Sequence, residues 1–332
     1  MRKLVYLLLV VVVVVGLLLA SCAKPAPGQK AEPINLKFVW AWAPQFIEND
    51  MNQGFIDEVN EKAKGELIIE HIGGPEVIPP FDQSEAVRSG AVDMHYGTHA
   101  YYLSTVPDND VSKLWADSGA ELRKKGIYDL LDKIHQEKLN AKLLGLMSTP
   151  LTFQFYSRIP VRNPKDIVGM KIRVSPYYTE FVKALGGVPT VIAPPEVYTA
   201  LERGAVDGLC WPTAGMIEAG FAEQVKYIVG PPFYRYTGFF TMNLDKWNSL
   251  PPNLQKVVTN AMIEKVEKAC IPHYQKLVDD ERDRLLKLGL QVIEFSPEDD
   301  KWFVDLAYKA AWDTLLEKAP QYGPELKKLI ED

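Results

Sequence analysis

The sequence predicts an α/β fold arranged as two similarly built lobes, and three observations predict it. Strand-like and helix-like segments alternate along the chain, which points to helices covering a mostly parallel or mixed sheet. One helix-to-strand unit appears twice, more than a hundred residues apart. The body of the chain, about 300 residues, favours two domains over one, because single cores stop growing near that size.

The N-terminus comes first. Arg2 and Lys3 precede an almost unbroken apolar run, Leu4 to Leu19. That run falls short of the ~20 apolar residues a membrane-spanning helix wants, so it reads as a secretory leader. It ends at Leu19-Ala20-Ser21-Cys22, which resembles the site cut by the bacterial lipoprotein signal peptidase. A thiol at Cys22 supplies the thioether link to a diacylglycerol, and small residues before it fit the peptidase. The expectation is a leader over residues 1–21 and lipidation at Cys22, which ties the chain to a membrane surface. Residues 22–33 are rich in Pro and Ala and carry too little apolar surface to order themselves, so they read as a flexible tether.

The formal net charge is −6, and loss of the leader removes two cations and no acid. An acidic body argues against nucleic acid, whose binding rests on Lys and Arg neutralising phosphates. A small anionic ligand answers instead to local charge. Beyond Cys22 only Cys210 and Cys270 remain. A disulfide between them is open to an exported chain, although two isolated cysteines are more often buried and free.

Along the body, Leu36 to Trp42 reads as a strand, Phe46 to Lys64 as an amphipathic helix and Leu67 to Ile72 as a second strand. Ser84 to Ser89, Asp93 to Tyr96, Tyr128 to Glu137 and Ala141 to Met147 continue the alternation. Residues 85–94 read EAVRSGAVDM and residues 199–208 read TALERGAVDG. In each copy a helix ends at a glycine, where positive φ costs little, and a short apolar stretch enters a strand. Asn253 to Leu288 has helical periodicity interrupted at Pro272, which fits either one kinked helix or two separate ones. His95 and His99 stand four apart, but Gly97 lies between them and no third ligand is near, so a hinge-region loop at a cleft edge is the better reading than a metal site. Lys62 and Lys64, with Glu58 and Glu61, form a charged helix surface that needs no function beyond solvation.

The most specific stretch is Gly169-Met170-Lys171-Ile172-Arg173-Val174, then Ala184-Leu185-Gly186-Gly187, then Pro195-Glu196-Val197-Tyr198-Thr199-Ala200-Leu201, ending at Gly204-Ala205-Val206-Asp207-Gly208. This resembles the solute-binding subunit of tripartite ATP-independent periplasmic (TRAP) transporters, the DctP-like family. Gly90 to Met94 is similar to the family's first-lobe motif, and Trp247, Leu250, Pro251 and Gln255 to the stretch leading into its long helix. The resemblance implies a periplasmic-binding-protein (Venus flytrap) fold, two α/β lobes with a long bridging helix kinked here at Pro272. Lobe I is expected over 34–150 plus about 239–275, and lobe II over 151–238 plus about 276–332.

The resemblance also implies a site. Its strand arginine, which pairs with a ligand carboxylate, corresponds to Arg173; a guanidinium is always charged and gives a carboxylate two parallel hydrogen bonds. Aromatic candidates for the ligand body are Trp42, Tyr177, Tyr178, Trp211 and Tyr236, with Trp40 and Tyr234 further along the same strands. Phe153, Gln154, Cys210 and His99 complete the expected contacts. Sialic-acid-binding members carry an asparagine before the proline near Trp211 and a second arginine near Phe153 or Gln154, both absent here. Members that bind oxo acids through a metal carry a glutamate where Cys210 stands, so neither metal nor cofactor is expected.

The resulting expectation is an extracytoplasmic receptor that delivers a small organic acid, a monocarboxylate with an apolar or aromatic body, to the small and large TRAP membrane subunits. An ABC importer or a sensor kinase is the alternative partner. No GxSxG, P-loop, GxGxxG or zinc cluster appears, so an enzyme is not expected, with a lipoprotein hydrolase as the remote alternative.

Overall fold

Two strands of 17 residues each, Ala141–Ser157 and Tyr227–Asn243, organise the chain. The computed structural model describes residues 32–331; the expected leader, Cys22 and the tether up to Ala31 lie outside them. The strands in chain order are β1 (Ile34–Trp40), β2 (Leu67–Gly73), β3 (Met94–Thr98), β4 (Ala141–Ser157), β5 (Lys171–Val174), β6 (Val188–Val191), β7 (Gly208–Pro212), β8 (Tyr227–Asn243) and β9 (Gln291–Ile293). They form one sheet in the order β2-β1-β3-β8-β4-β7-β5-β6, with β9 beside β8.

The sheet is mixed. β1 pairs parallel to β3, and β5 runs parallel to both β6 and β7, while the long strands pair antiparallel to each other and to β3 and β7. Each long strand serves both ends of the sheet. The Gly238–Met242 stretch of β8 holds β3, and the Phe153–Ser157 stretch of β4 holds β7. Their mutual register shifts between Ser148 and Thr152 and again between Thr152 and Phe155. Pro150 lies inside the first shift, where a residue without an N–H is tolerated because the ladder is already interrupted. The strand expected to end at Met147 therefore continues to Ser157, with the proline absorbed as an irregularity.

The two copies of the repeated motif occupy matching places. Gly90 and Gly204 both take positive φ, 75° and 68°, and each leads from a helix into a parallel strand. The Lys37 N–H donates to the Asp93 carboxylate at 2.7 Å, and the Lys171 N–H donates to Asp207 at 2.8 Å. In return the Asp93 N–H donates to the Lys37 carbonyl and the Asp207 N–H to the Lys171 carbonyl. The aspartate of each motif thus staples the neighbouring parallel strand, at Lys37 within β1 and at Lys171 where β5 begins, which is the physical content of the repeat.

Two expected helices differ in the structure. Over Phe46 to Lys64, a 3₁₀ turn (Ile47–Asn49) precedes a shorter helix (Asn52–Lys62). The Asn49 side chain donates to the carbonyls of Trp42 and Ala43, holding the chain in a turn that competes with the helix. Asn253 to Leu288 comprises helix Pro252–Met262, a π turn (Ile263–Glu267) and helix Cys270–Lys287. Pro272 sits in the first turn of the latter, where its missing N–H matters least, and the irregularity falls just before it. At the π turn the backbone of β4 comes close: a Cβ on Gly145 would meet Met262 side-chain atoms at 2.3 Å.

One apolar core gathers Val39, Val87, Trp115, Leu131, Ile134, Leu143 and Phe239, all essentially inaccessible. Cys210 and Cys270 are free and buried. Among the described residues no helix is long and apolar enough to cross a membrane.

Candidate functional site

β5 delivers Arg173 to the carboxyl ends of the parallel strands, and the site grows from that side chain. Arg173 is 1 % exposed. Its Nε and one terminal nitrogen donate to the Ile192 carbonyl at 3.0 and 2.8 Å, and the other donates to the Tyr178 hydroxyl at 3.2 Å and the Cys210 carbonyl at 3.4 Å. Among the described residues no carboxylate pairs with it. A buried cation held only by neutral acceptors carries a desolvation cost that an incoming anion would offset.

Around the guanidinium lies a small cavity of about 20 Å³, lined by Trp42, Glu48, Thr98, Tyr101, Phe153, Arg173, Ser175, Tyr178, Trp211, Pro212 and Tyr236. The first four come from segments at the β1–β3 end of the sheet, and Phe153 to Pro212 from the β5–β7 end. Trp211 places its ring 5.1 Å from the guanidinium carbon. It also meets Phe221 edge-on at 4.9 Å. Its Nε1–H is buried without a partner. Trp42 packs against Tyr96, Tyr101 and Tyr236 at 5.6 to 6.1 Å, so the walls are aromatic on both sides. The fit is tight enough that nothing much larger than a water enters unless the walls part.

Glu48, on the 3₁₀ turn, is the residue that sequence reasoning missed. It is 2 % exposed and its Oε2 has no partner. Burial pushes its carboxyl up to about 8; its own backbone N–H and Arg173 pull the other way, while Asp50 and Glu218 push it further up. Thr98, Tyr101, Ser175 and Pro212 were also not anticipated. The one available signal for Glu48 was its position six residues after the expected strand Leu36 to Trp42, which bears two tryptophans.

Of the expected contacts, the structure brings together Arg173, Trp211, Trp42, Tyr178, Phe153 and Tyr236. Tyr177, Gln154, Cys210 and His99 stand elsewhere. Gln154 alternates with Phe153 along β4 and donates instead to the carbonyls of Val229 and Gly230. Cys210 alternates with Trp211 and offers only its carbonyl, which accepts from Arg173 and from the Tyr178 hydroxyl. Tyr177 turns away and donates to the Arg235 carbonyl at 2.7 Å. His99 shares a hydrogen bond with Ser112 and packs on Tyr177 and Phe239. Neither histidine lies on a loop at the cleft edge: His95 belongs to β3, and both rings are buried. Trp40 stacks on His71 at 3.5 Å, and Tyr234 donates to the Ala307 carbonyl, so both serve packing. Among the described residues no group of three or more His, Cys, Asp or Glu is placed to hold a metal ion.

A larger cavity of about 530 Å³ lies between Leu103, Pro107, Lys113, Tyr177, Glu180 and Lys318. Its buried cation, Lys113, already has a carboxylate, Asp110 at 2.7 Å, and donates to the Tyr177 carbonyl. The smaller cavity holds the unpaired cation and is the better candidate for an anion.

Comparison with known proteins places the chain. The family model for bacterial extracellular solute-binding protein, family 7 (DctP), matches residues 39–318. The C4-dicarboxylate-binding periplasmic protein DctP of Rhodobacter capsulatus is 29 % identical over 262 residues, covering 77 % of this chain and 78 % of that one. The monocarboxylate 2-oxoacid-binding periplasmic protein of Nostoc is 23 % identical over 281 residues, covering 79 % and 72 %. The crystal structure of a TRAP periplasmic solute-binding protein from Desulfovibrio salexigens with bound orotic acid superposes with a TM-score of 0.81 at 23 % identity, covering 90 % and 97 %. The mixed sheet, the cleft between its two ends and the match over most of its length agree: this chain belongs to the DctP family, the solute-binding subunits of TRAP transporters.

Proposed function

We propose that the chain is the receptor of a TRAP transporter for a small monocarboxylate with a flat, largely apolar body, and that it binds without catalysing a reaction. The observation that carries the reading is Arg173: a fully buried guanidinium with no carboxylate partner among the described residues. Among the described residues Arg173 is also the only cation lining the cavity, so a second carboxylate, as in the C4-dicarboxylate of the Rhodobacter relative, would meet Glu48 and no counter-charge. Arg173 already donates four of its five N–H groups, so a carboxylate takes the free one and displaces the long contact to the Cys210 carbonyl. Two charge-assisted bonds supply roughly 3–6 kcal/mol, whereas micromolar binding needs about 8, so the aromatic walls must supply the rest. A ring acid, like the orotic acid of the Desulfovibrio protein, suits Trp42, Phe153, Tyr178 and Trp211.

The expected ligand contacts are therefore Arg173, Trp211, Trp42, Tyr178, Phe153 and Tyr236. The lobe division expected from sequence, with crossings near residues 150 and 238, is supported by the register shifts of β4 and by the exchange of sheet partners along both long strands. Closure of two lobes over the acid presents the receptor to its membrane subunits. The lipid anchor at Cys22 keeps it beside them; radiolabelled palmitate incorporated by the wild type and lost in Cys22→Ser tests that part.

The function is tested by a thermal-shift screen of the full chain in detergent against aliphatic, 2-oxo, 2-hydroxy and aromatic acids, with and without chelator. An acid at a hundred times its Kd adds about 2.7 kcal/mol of stability, which raises the melting temperature visibly. Chelator-resistant shifts with monocarboxylates are expected. Shifts confined to sugars, amines or chelator-sensitive acids would sink the reading.

A further inference from the structure

We propose that Glu48 selects among carboxylic acids by hydrogen-bonding a polar group on the ligand's body, so that the ligand is an acid bearing an amide or hydroxyl rather than a plain hydrocarbon acid. The inference rests on the reading of Arg173 as the carboxylate anchor and adds a second point of recognition.

Three polar groups face one small cavity without a full set of partners. Among the described residues Arg173 has no carboxylate, Glu48 Oε2 has no hydrogen bond, and Trp211 Nε1–H has none. Unpartnered buried polar atoms are uncommon because each forfeits its hydration. The Glu48 carboxyl reaches back only to its own backbone N–H, and the contact that ties this turn to the sheet runs through the Glu48 backbone carbonyl, which accepts from the Tyr96 hydroxyl at 2.5 Å. Nor does it neutralise Arg173, since the two form no ion pair. An apolar residue would fill the place at lower cost, so a carboxyl there points outward to a ligand.

The chemistry of the three groups restricts that ligand. Arg173 takes the carboxylate. Trp211 offers a donor only and wants a carbonyl, hydroxyl or carboxylate oxygen. Glu48 in its neutral form offers both a donor and an acceptor, which an amide or a hydroxyl answers. A hydrocarbon acid offers its carboxylate to Arg173 and Trp211 but leaves Glu48 orphaned, and such a mismatch discriminates strongly.

Glu48 also links binding to pH. The charged and titratable groups around it are Asp50 on the following turn, Arg173 from β5, Glu218 from the segment after β7, and the tyrosines 96, 101, 236 and 274. The four tyrosines are held above their usual range by burial and stay neutral. Glu218 is tied to Arg284 and Asp50 to His273. Binding a ligand carboxylate beside Glu48 requires Glu48 to be neutral, because Arg173 can compensate only one of the two. With the Glu48 carboxyl pushed up to about 8, affinity should hold below that pH and weaken by about tenfold per unit above it.

The experiment is calorimetric titration of the full chain in detergent with two matched pairs, 5-oxoproline against cyclopentanecarboxylate and mandelate against phenylacetate, at pH 6 to 9.5. In the wild type the functionalised acid of at least one pair should bind about tenfold or more tightly than its partner. In Glu48→Leu that preference should collapse, while in Glu48→Gln, which keeps a donor and an acceptor, it should survive and the alkaline loss should vanish. Melting curves of each variant establish that it is folded. A preference for the functionalised acids equal in wild type and Glu48→Leu, or an alkaline loss that persists in Glu48→Gln, overturns the proposal. Arg173→Ala separates the two levels: loss of all four acids upholds the anchor whatever Glu48 does, and retention of them overturns the anchor itself.

Discussion

Arg173 reaches the cavity because the Ile192 carbonyl grips its Nε and one terminal nitrogen, leaving the rest of the fork turned toward Tyr178, Cys210 and the ligand space. Removing it as Arg173→Ala should weaken a carboxylate ligand by about a hundredfold or more, the worth of two charge-assisted bonds. Arg173→Lys keeps the charge but loses both the fork and the double grip on Ile192, so its Kd should fall between the two; titration calorimetry on the three proteins checks the order. An unchanged Kd in Arg173→Ala would remove it from the site. This arginine was legible in the sequence because its strand motif is specific, and Trp211 was legible with it. Tyr177, Gln154 and Cys210 were not separable from their neighbours Tyr178, Phe153 and Trp211, because adjacent residues on a strand or tight turn face opposite ways and the phase must be known first. Glu48 was hidden for a different reason: inside an expected helix from Phe46 to Lys64 it reads as one more charge on a solvated face.

At the scale of elements, the repeated Gly-Ala-Val-Asp units were legible as a repeat, but their purpose emerged only with the pairing. Asp93 accepts a hydrogen bond from the Lys37 N–H in the middle of β1, and Asp207 accepts one from the Lys171 N–H, the first of β5, which fixes where β5 begins. Asp207 therefore sets the register of the strand that carries Arg173 two residues later. Asp207→Ala should cost about 1–2 kcal/mol of stability, since it strips a charged acceptor from a backbone donor, while Asp207→Asn should cost less than half of that. Urea unfolding of both variants tests this, and equal midpoints for Ala and wild type would refute the staple. Of the long strands, β4 was legible only to Met147 because Pro150 looks like a terminator, and β8 was not read as a strand; local sequence does not reveal that it supports β4 across the break. A similar close approach governs Gly145, whose missing side chain lets β4 pass the π turn at Met262. Gly145→Ala should destabilise by about 1–3 kcal/mol through overpacking, measurable in the same urea series.

Across the whole molecule, buried ionisable groups set opposing pH slopes. Burial lowers His95 to about 3 and His135 to about 4, the latter against the opposing pull of the Leu131 carbonyl and nearby aspartates. Burial, with Lys113 and His135 adding to it, holds His99 well below its ordinary value. A histidine depressed in the fold stays neutral while the unfolded chain takes up a proton, so its contribution is complete above about pH 6.5 and is lost as pH falls below that. Each such histidine can add a slope of up to about 1.4 kcal/mol per pH unit. Glu48 acts with the opposite sign. Its raised carboxyl stays neutral in the fold while the unfolded chain ionises, so stability is lost as pH climbs from the ordinary carboxylate range to about 8. Asp50, Asp110 and Glu281, raised first of all by burial, lean the same way as Glu48. Three histidines outweigh these acids just below pH 6.5, and Glu48 remains as the opposing slope above it, so stability should peak near neutrality and fall more steeply on the acid side. Urea unfolding from pH 4.5 to 8.5 measures the profile. His95→Leu should flatten the acid limb by about one histidine's slope, because neither ring nitrogen of His95 has a partner to lose, and Glu48→Gln should flatten the alkaline limb alone. An acid limb unchanged in His95→Leu would mean that the ring already exchanges protons in the folded chain.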